Sequence, residues 1–391
     1  MKIYQQLFRQ LDEVGTLSRG KSKHRPRNDP VLYGGLHPFI QTGDVKHSNF
    51  YVTRYSQTYS DMGLAQSKLW PAGTLCITIA ANIADTAILT FPACFPDSII
   101  GFKAKNGVAS TAYIKYCLDT YKTQMRSISQ GTTQDNLSQG KLLSLKFRIP
   151  DYATQQKIAA ILSAYDDLIA NNQRRITLLE RMAEDTYREW FVRLRFPGHG
   201  SAARGKGVPT GWCVCNLGDV LELCYGKALK DGERISGAVP VYGSSGVVGT
   251  HSTALVDGPG IVVGRKGNVG SVFWSEQAFF PIDTAYFVRS AVSLYYLVFL
   301  LRSINFINSD AAVPGLNRQQ ACSNKLVFPP NQLIEMFSEK VKTLFDAKRV
   351  LSEQNEILKA TRDALLPRLI SGKLAVDALD ILYPPGMAIA A

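Results

Sequence analysis

Residues 149–198 read IPDYATQQKIAAILSAYDDLIANNQRRITLLERMAEDTYREWFVRLRFPG, and this stretch decides the fold. After Pro150, the residues Ile158, Leu162, Tyr165, Ile169, Asn172, Ile176, Leu179, Ala183, Thr186 and Trp190 fall at alternating steps of four and three. That spacing predicts one long helix with a single, mostly apolar edge. At 1.5 Å per residue such a helix is about 50 Å long and unstable in water without a partner for its edge. The chain supplies one. Residues 328–374 read FPPNQLIEMFSEKVKTLFDAKRVLSEQNEILKATRDALLPRLISGKL, with Pro329 placed 179 residues after Pro150. The same offset gives a second seam of Phe337, Val341, Leu344, Lys348, Leu351, Asn355, Leu358, Arg362, Leu365 and Leu369. Two such helices, each following a globular segment, pair antiparallel most simply. Asn172 and Asn355 put an amide in each seam, which fits either a frayed, exposed position or a buried polar residue that fixes register.

Working outward, the repeat includes the globular segments. Leu137 meets Leu316, Gly73–Ile88 echoes Gly258–Phe273, Phe95-Pro96 answers Phe280-Pro281, and Gly20-Lys21 resembles Gly226-Lys227. Each copy begins with short β-branched runs cut by Gly and Pro, such as TLCITI (74–79) and GIVVG (260–264), which read as strands and turns. The expected order is a first domain over 1–150, a long helix over 151–196, a polar Gly-rich linker over 197–207, a second domain over 208–330, a second long helix over 331–374 and a tail over 375–391.

The net charge of +12 favours a polyanionic partner. Basic residues outnumber acidic ones by nine over 1–150 and by three over 196–330, while 151–195 and 331–391 each carry equal numbers of both. The apolar run AVSLYYLVFLL (291–301) is far shorter than the roughly 20 residues of a bilayer span and reads as a buried helix. The start of the chain has no uninterrupted apolar run, so a cytoplasmic protein is expected. Seven scattered cysteines suit free thiols, and the cluster of Cys213, Cys215 and Cys224 lacks the spacing of a zinc site. No metal site and no cofactor are expected.

One enzyme-like pattern needs weighing. Gly15 to Ser22 (GTLSRGKS) fits the phosphate-binding loop G-x-x-x-x-G-K-[ST]. A working loop of that kind lies between a strand and a helix, whose amides cradle phosphate. Here Pro26, Pro30 and a run of polar residues follow, leaving no apolar face for a helix. The matching loop in the second copy keeps Gly226-Lys227 but has Leu221 in place of the first glycine. A turn shared by both copies explains both, whereas nucleotide binding explains one.

The segments 149–198 and 328–374 resemble the central and C-terminal shared regions of type I restriction-modification specificity subunits, LLPRLISGKL (365–374) most of all. VPVYGSSGVVGTH (239–251) and IVVGRKGNVGSVFW (261–274) are similar to a target-recognition domain of that family, as is PFIQTGDVKHSNF (38–50). The resemblance implies an α+β chain with two pseudo-symmetric α/β target-recognition domains separated by two long antiparallel, coiled-coil-like helices. It further implies a non-catalytic subunit that reads a bipartite double-stranded DNA target, one half per domain. Its partners would be two methyltransferase subunits and restriction/translocase subunits. The helices would then serve as a neutral ruler between half-sites. The helix starts depart from the family pattern, with Thr154-Gln155-Gln156 first and Leu333-Ile334-Glu335 second where an acidic-Gln pair is usual.

Candidate DNA contacts follow from chemistry. Arg19, Lys21, Lys23, Arg25 and Arg27 alternate along one loop and suit phosphate tracking. Base reading calls for paired hydrogen bonds from Arg, Asn or Gln on exposed loops. Lys46, His47, Asn49 and the run holding Thr132, Thr133, Gln134 and Asn136 offer these in the first copy. Tyr242, Ser244, Ser245, Arg265, Lys266, Asn268, Asn317, Arg318 and Gln319 offer them in the second. Two other classes remain in play: a DNA-stimulated NTPase using Gly15–Ser22, and a helical scaffold with no DNA role.

Overall fold

Pro150 and Pro329 end the extended backbone before each predicted helix, and both helices start within two residues of them. The computed structural model describes residues 7–129, 137–201, 204–205, 208–306, 315–381 and 383. The first long helix, α1, spans Tyr152–Tyr187, and the second, α2, spans Asn331–Ser371. Asp151 caps α1 by accepting from the Thr154 amide at 2.9 Å and from its hydroxyl at 2.8 Å, an interaction worth about 1 kcal/mol. The predicted helix ran on regularly to Trp190. Instead α1 gives way to a π-helical turn over Arg188–Val192, closed by the Arg193 amide donating to the Arg188 carbonyl at 2.8 Å. The wider turn rotates Trp190 and Phe191 toward the second aromatic core.

The chain forms two compact units, Met1–Asn171 with Gln354–Ala391 and Asn172–Glu353, so each helix is divided between them. In the first unit the strands β1 (Gly15–Arg19), β2 (Tyr51–Val52), β3 (Leu75–Thr78), β4 (Thr86–Leu89) and β5 (Ile99–Ala104) form one sheet in the order β1-β5-β3-β4-β2. Only the β2–β4 pair is parallel. In the second unit β6 (Glu222–Tyr225), β7 (Gly260–Gly264), β8 (Val272–Ser275) and β9 (Ala285–Arg289) form an antiparallel sheet in the order β6-β9-β7-β8. The order and sense repeat the first sheet without its parallel edge. Each sheet packs a ten-residue helix, Thr111–Thr120 in one copy and the expected apolar Leu294–Ser303 in the other. Among the described residues no helix is long and apolar enough to cross a membrane.

Ile158, Leu162, Ile169, Asn172 and Ile176 are buried on α1, as are Phe337, Val341, Leu351 and Asn355 on α2, while Tyr165, Leu179, Leu344 and Leu358 are half-buried. Within the first unit Arg362 pairs with Asp166 and the Asn355 amide donates to the Ile169 carbonyl at 3.4 Å, so α1 and α2 run antiparallel there. Within the second unit Lys348 pairs with Glu180 at 3.0 Å and Phe337 meets Tyr187 at 6.0 Å, with the same antiparallel sense. Burial decides between the two readings of the seam amides: Asn355 spends its donor on a backbone carbonyl inside the helix pair, so it favours one register over its neighbours.

The unusual helix starts have a local reason. Gln155 is fully buried; its Oε1 accepts from the Ser110 amide at 2.9 Å, and its Nε2 donates to the Val108 carbonyl at 2.9 Å and to the Pro150 carbonyl at 2.8 Å. At the same step of the repeat α2 has Ile334, buried in an apolar core. One copy docks its helix by a satisfied polar bracket and the other by packing. The polar linker also holds more structure than expected: a 3-10 turn at His199–Ser201 and the paired two-residue strands Arg204–Gly205 and Val208–Pro209.

Candidate nucleic-acid interface

The phosphate-loop pattern dissolves in the fold. Gly15–Arg19 is strand β1, paired along its length with β5, so this stretch is extended sheet backbone and not a loop wrapped around a phosphate. The Gly20 amide donates to the Ile99 carbonyl at 2.9 Å and the Lys21 amide to the Phe95 carbonyl at 3.1 Å. In the second copy Gly226 donates to Ala285 at 3.1 Å and Lys227 to Pro281 at 3.1 Å. A Cβ at either glycine would collide with backbone carbonyls of the Phe-Pro segment beside it. Both Gly-Lys pairs are therefore one repeated turn, and neither leaves amides free for phosphate.

The basic loop divides in two. Arg25, though exposed, folds back on its own loop and donates to the Ser22 and His24 carbonyls, both at 2.8 Å, and Arg27 pairs with Asp97 at 2.9 Å. Arg19, Lys21 and Lys23 are exposed, and their side chains make no hydrogen bond or ion pair among the described residues. Lys68, absent from the sequence-based set, stacks over the Trp70 ring at 3.6 Å and donates to the Ser18 hydroxyl at 3.1 Å. Burial lowers its pKa, and the neighbouring charges of Lys21 and Lys103 lower it further. Lys21 and Lys103 thus set two positive charges near the Lys68 ammonium, a concentration that a polyanion would relieve. Lys46, His47 and Asn49 are exposed together where the Thr42–Lys46 helix ends, although His47 Nδ1 bonds the Gly43 carbonyl at 2.7 Å. Thr132, Thr133, Gln134 and Asn136 lie outside the described residues.

In the second copy the candidates converge. Arg265, Lys266, Asn317, Arg318 and Gln319 line one cavity of about 290 Å³ together with Tyr225, Tyr286, Gly315 and Leu316. The Leu316 amide donates to the Arg265 carbonyl at 2.7 Å and the Tyr286 hydroxyl to the Leu316 carbonyl at 2.9 Å, which fastens the Gly315–Gln319 segment to the sheet. The Arg265 guanidinium sits 4.8 Å from the centre of the Tyr225 ring and donates to the Asp283 carbonyl at 3.0 Å. Arg318 sits 5.4 Å from the same ring. Burial raises the Tyr286 pKa, with Tyr225 beside it adding to the rise, so Tyr286 stays a neutral donor.

Three readings change at this surface. Tyr242 is buried in the strand Val239–Gly243 and belongs to the core. Asn317 spends its side-chain oxygen capping the following helix, accepting from Gln319 at 2.9 Å and Gln320 at 3.2 Å, so it has no acceptor left to pair with adenine. Ser244 packs against the 264–271 loop, where Ser271 donates to its carbonyl at 2.5 Å, whereas Ser245 and Asn268 remain exposed on the same rim. Tyr225 and Tyr286 were not legible in the sequence because their partners lie more than 20 residues away along the chain; the only local hint was an aromatic residue directly before Gly226-Lys227. Among the described residues no three His, Cys, Asp or Glu side chains are placed to share a metal ion.

Comparison with known proteins places this geometry. A family model described as type I restriction modification DNA specificity domain matches residues 6–181 and again 209–349, one match per copy. The chain is 24% identical over 414 residues to the type I restriction enzyme MjaIX specificity subunit of Methanocaldococcus jannaschii, covering 95% of this chain and 94% of that protein. It is 23% identical over 188 residues to the MjaVIII specificity subunit of the same organism, covering 48% and 39% of the two chains. Among solved structures, the type I restriction-modification S subunit from M. genitalium shares the fold with a TM-score of 0.57 at 18% identity, over 93% of this chain and 95% of that one. With two separate matches to one family model covering most of its length, the chain belongs to the type I restriction-modification DNA specificity family, with two copies of the specificity domain.

Proposed function

We propose that this chain is a non-catalytic specificity subunit in which the domains over 1–150 and 208–330 each read one half of a bipartite double-stranded DNA target. It acts in the cytoplasm with two methyltransferase subunits, seated along the long helices of segments 151–196 and 331–374, and with restriction/translocase subunits, and the chemistry belongs to these partners. The observation that carries the reading is that one DNA-specificity family model falls separately on both structural copies. The division of labour is supported by charge. In the first copy the cluster of Lys21, Lys68 and Lys103 suits the phosphate backbone, whereas the Arg265 and Arg318 cavity of the second offers directed donors suited to base edges. Neither alternative gains support. The Gly15–Ser22 segment has no phosphate cradle, and a plain scaffold leaves the clustered cations unexplained.

The chain bound to its methyltransferase subunits, incubated with random duplexes, is expected to enrich one motif of two short blocks separated by an unspecified spacer. Recovery of unenriched sequence would refute the reading. In the same assay Lys21→Ala is expected to weaken binding to all sequences alike and to lower the slope of log affinity against log salt by about 1, with the motif unchanged. A changed motif would remove Lys21 from the phosphate-contacting set.

A further inference from the structure

The two copies can be superposed by hydrogen bonds rather than by sequence. Tyr225 faces Tyr286 across β6 and β9, as Arg19 faces Ile100 across β1 and β5. The Leu316 amide donates to the Arg265 carbonyl, as the Leu137 amide donates to the Ile79 carbonyl at 3.0 Å. Asn317 and Ser138 each cap the short helix that follows. Arg265 and Tyr286 therefore stand where the first copy has Ile79 and Ile100, both buried, and Arg318 stands where the first copy has Gln139.

The last pairing is the informative one. Phosphates are the same in both halves of any target, so a phosphate contact gives no reason for the side chain to differ between the copies. Base identity differs between halves. A position that holds arginine in one domain and glutamine in the other matches the two side chains that make paired hydrogen bonds, to guanine O6 and N7 and to adenine N6 and N7 respectively. The surroundings agree. Arg265 has already committed a donor to the Asp283 carbonyl. Arg318 is exposed, has no hydrogen-bond acceptor among the described residues, and lies against the Tyr225 ring, which limits its rotamers while leaving its donors unspent.

We propose that Arg318, seated on Tyr225, selects a guanine in the half-site of the second domain, and that Gln139 is the corresponding specificity residue of the first domain. This rests on the reading of the chain as a bipartite DNA reader. The test is to map methylated sites in cells carrying the whole complex with the wild-type chain, Arg318→Gln or Arg318→Lys. With Arg318→Gln, preference for guanine at one position of one half-site falls about 10- to 100-fold and adenine is gained there, with every other position retained. Arg318→Lys keeps the charge but loses the fork, and guanine preference drops at the same position. An unchanged motif in Arg318→Gln, or a uniform loss at all positions restored by Arg318→Lys, would make Arg318 a bystander or a phosphate contact and overturn the proposal. A wild-type chain that yields no two-part motif would instead overturn the bipartite reading itself. Arg318 is exposed and its counterpart is already glutamine, so the thermal melting of Arg318→Gln is expected to match that of wild type.

Discussion

Exchanging residues 1–150 for the matching segment of another specificity chain is expected to replace one block of the recognised motif and leave the other block and its contacts intact. Each mismatched base pair typically costs about 1–3 kcal/mol, so three or four changed positions move selectivity by a factor on the order of a thousand or more. The physical basis is that the two matches to the specificity family fall on separate copies. The exchange must respect one constraint visible in the fold. The core of the first unit joins Tyr113, Tyr116 and Leu142 of the domain to Ile158 and Leu162 of α1 and to Leu369 and Ile370 of α2. Arg148 also donates to the Ile370 carbonyl at 3.0 Å, and the Tyr116 hydroxyl to Asp166 at 2.5 Å. A donor segment that keeps an aromatic residue at position 116 and an arginine at position 148 is expected to transfer its half-site cleanly. Change in both blocks, scored by methylation mapping, would mean that the domains do not read independently.

Phe337→Ala should produce the largest loss of stability of any single substitution considered. Phe337 is fully buried, and its ring lies within 5.1–6.4 Å of the rings of Tyr187, Trp190, Phe191, Tyr296 and Phe299. Removing it empties the centre of the aromatic core by which both helices dock on the second domain. Truncations of this kind cost about 3–5 kcal/mol, which in a unit of this size lowers the melting temperature by roughly 6–20 °C. Met336→Ala, one residue earlier and 44% exposed, is expected to shift stability by no more than about 0.5 kcal/mol. Equal effects of the two in thermal unfolding would show that this aromatic core does not anchor the helix.

Much of this was legible in the sequence where the signal is local and periodic. The steps of three and four after Pro150 and Pro329 marked the buried edge of both helices, and the offset of 179 exposed the internal copy. The Gly-Lys turn was readable because two copies of it could be compared. The limits are equally physical. Hydrophobic period does not register the change from α to π winding at Arg188, since the apolar spacing continues through it. It is also blind to capping, which converts Asn317 from a base-reading candidate into part of the scaffold. Nor does it show that α1 is divided at Asn171 and Asn172, and α2 at Glu353 and Gln354, between two compact units, because the seam runs on without interruption. The cavity was hidden for another reason. Its walls come from Tyr225, Arg265, Tyr286 and Arg318, residues brought together only by the pairing of β6, β7 and β9 and by the strap at Leu316.

As a specificity subunit of the proposed kind, this chain by itself decides which DNA sequence its complex modifies. The most direct measurement is a genome-wide map of methylated bases in cells with and without the chain, all other subunits being kept. One bipartite motif, with two different halves at fixed separation, is expected with the chain and is lost at every site without it. A motif that survives removal of the chain, or one made of a single uninterrupted block, would contradict this.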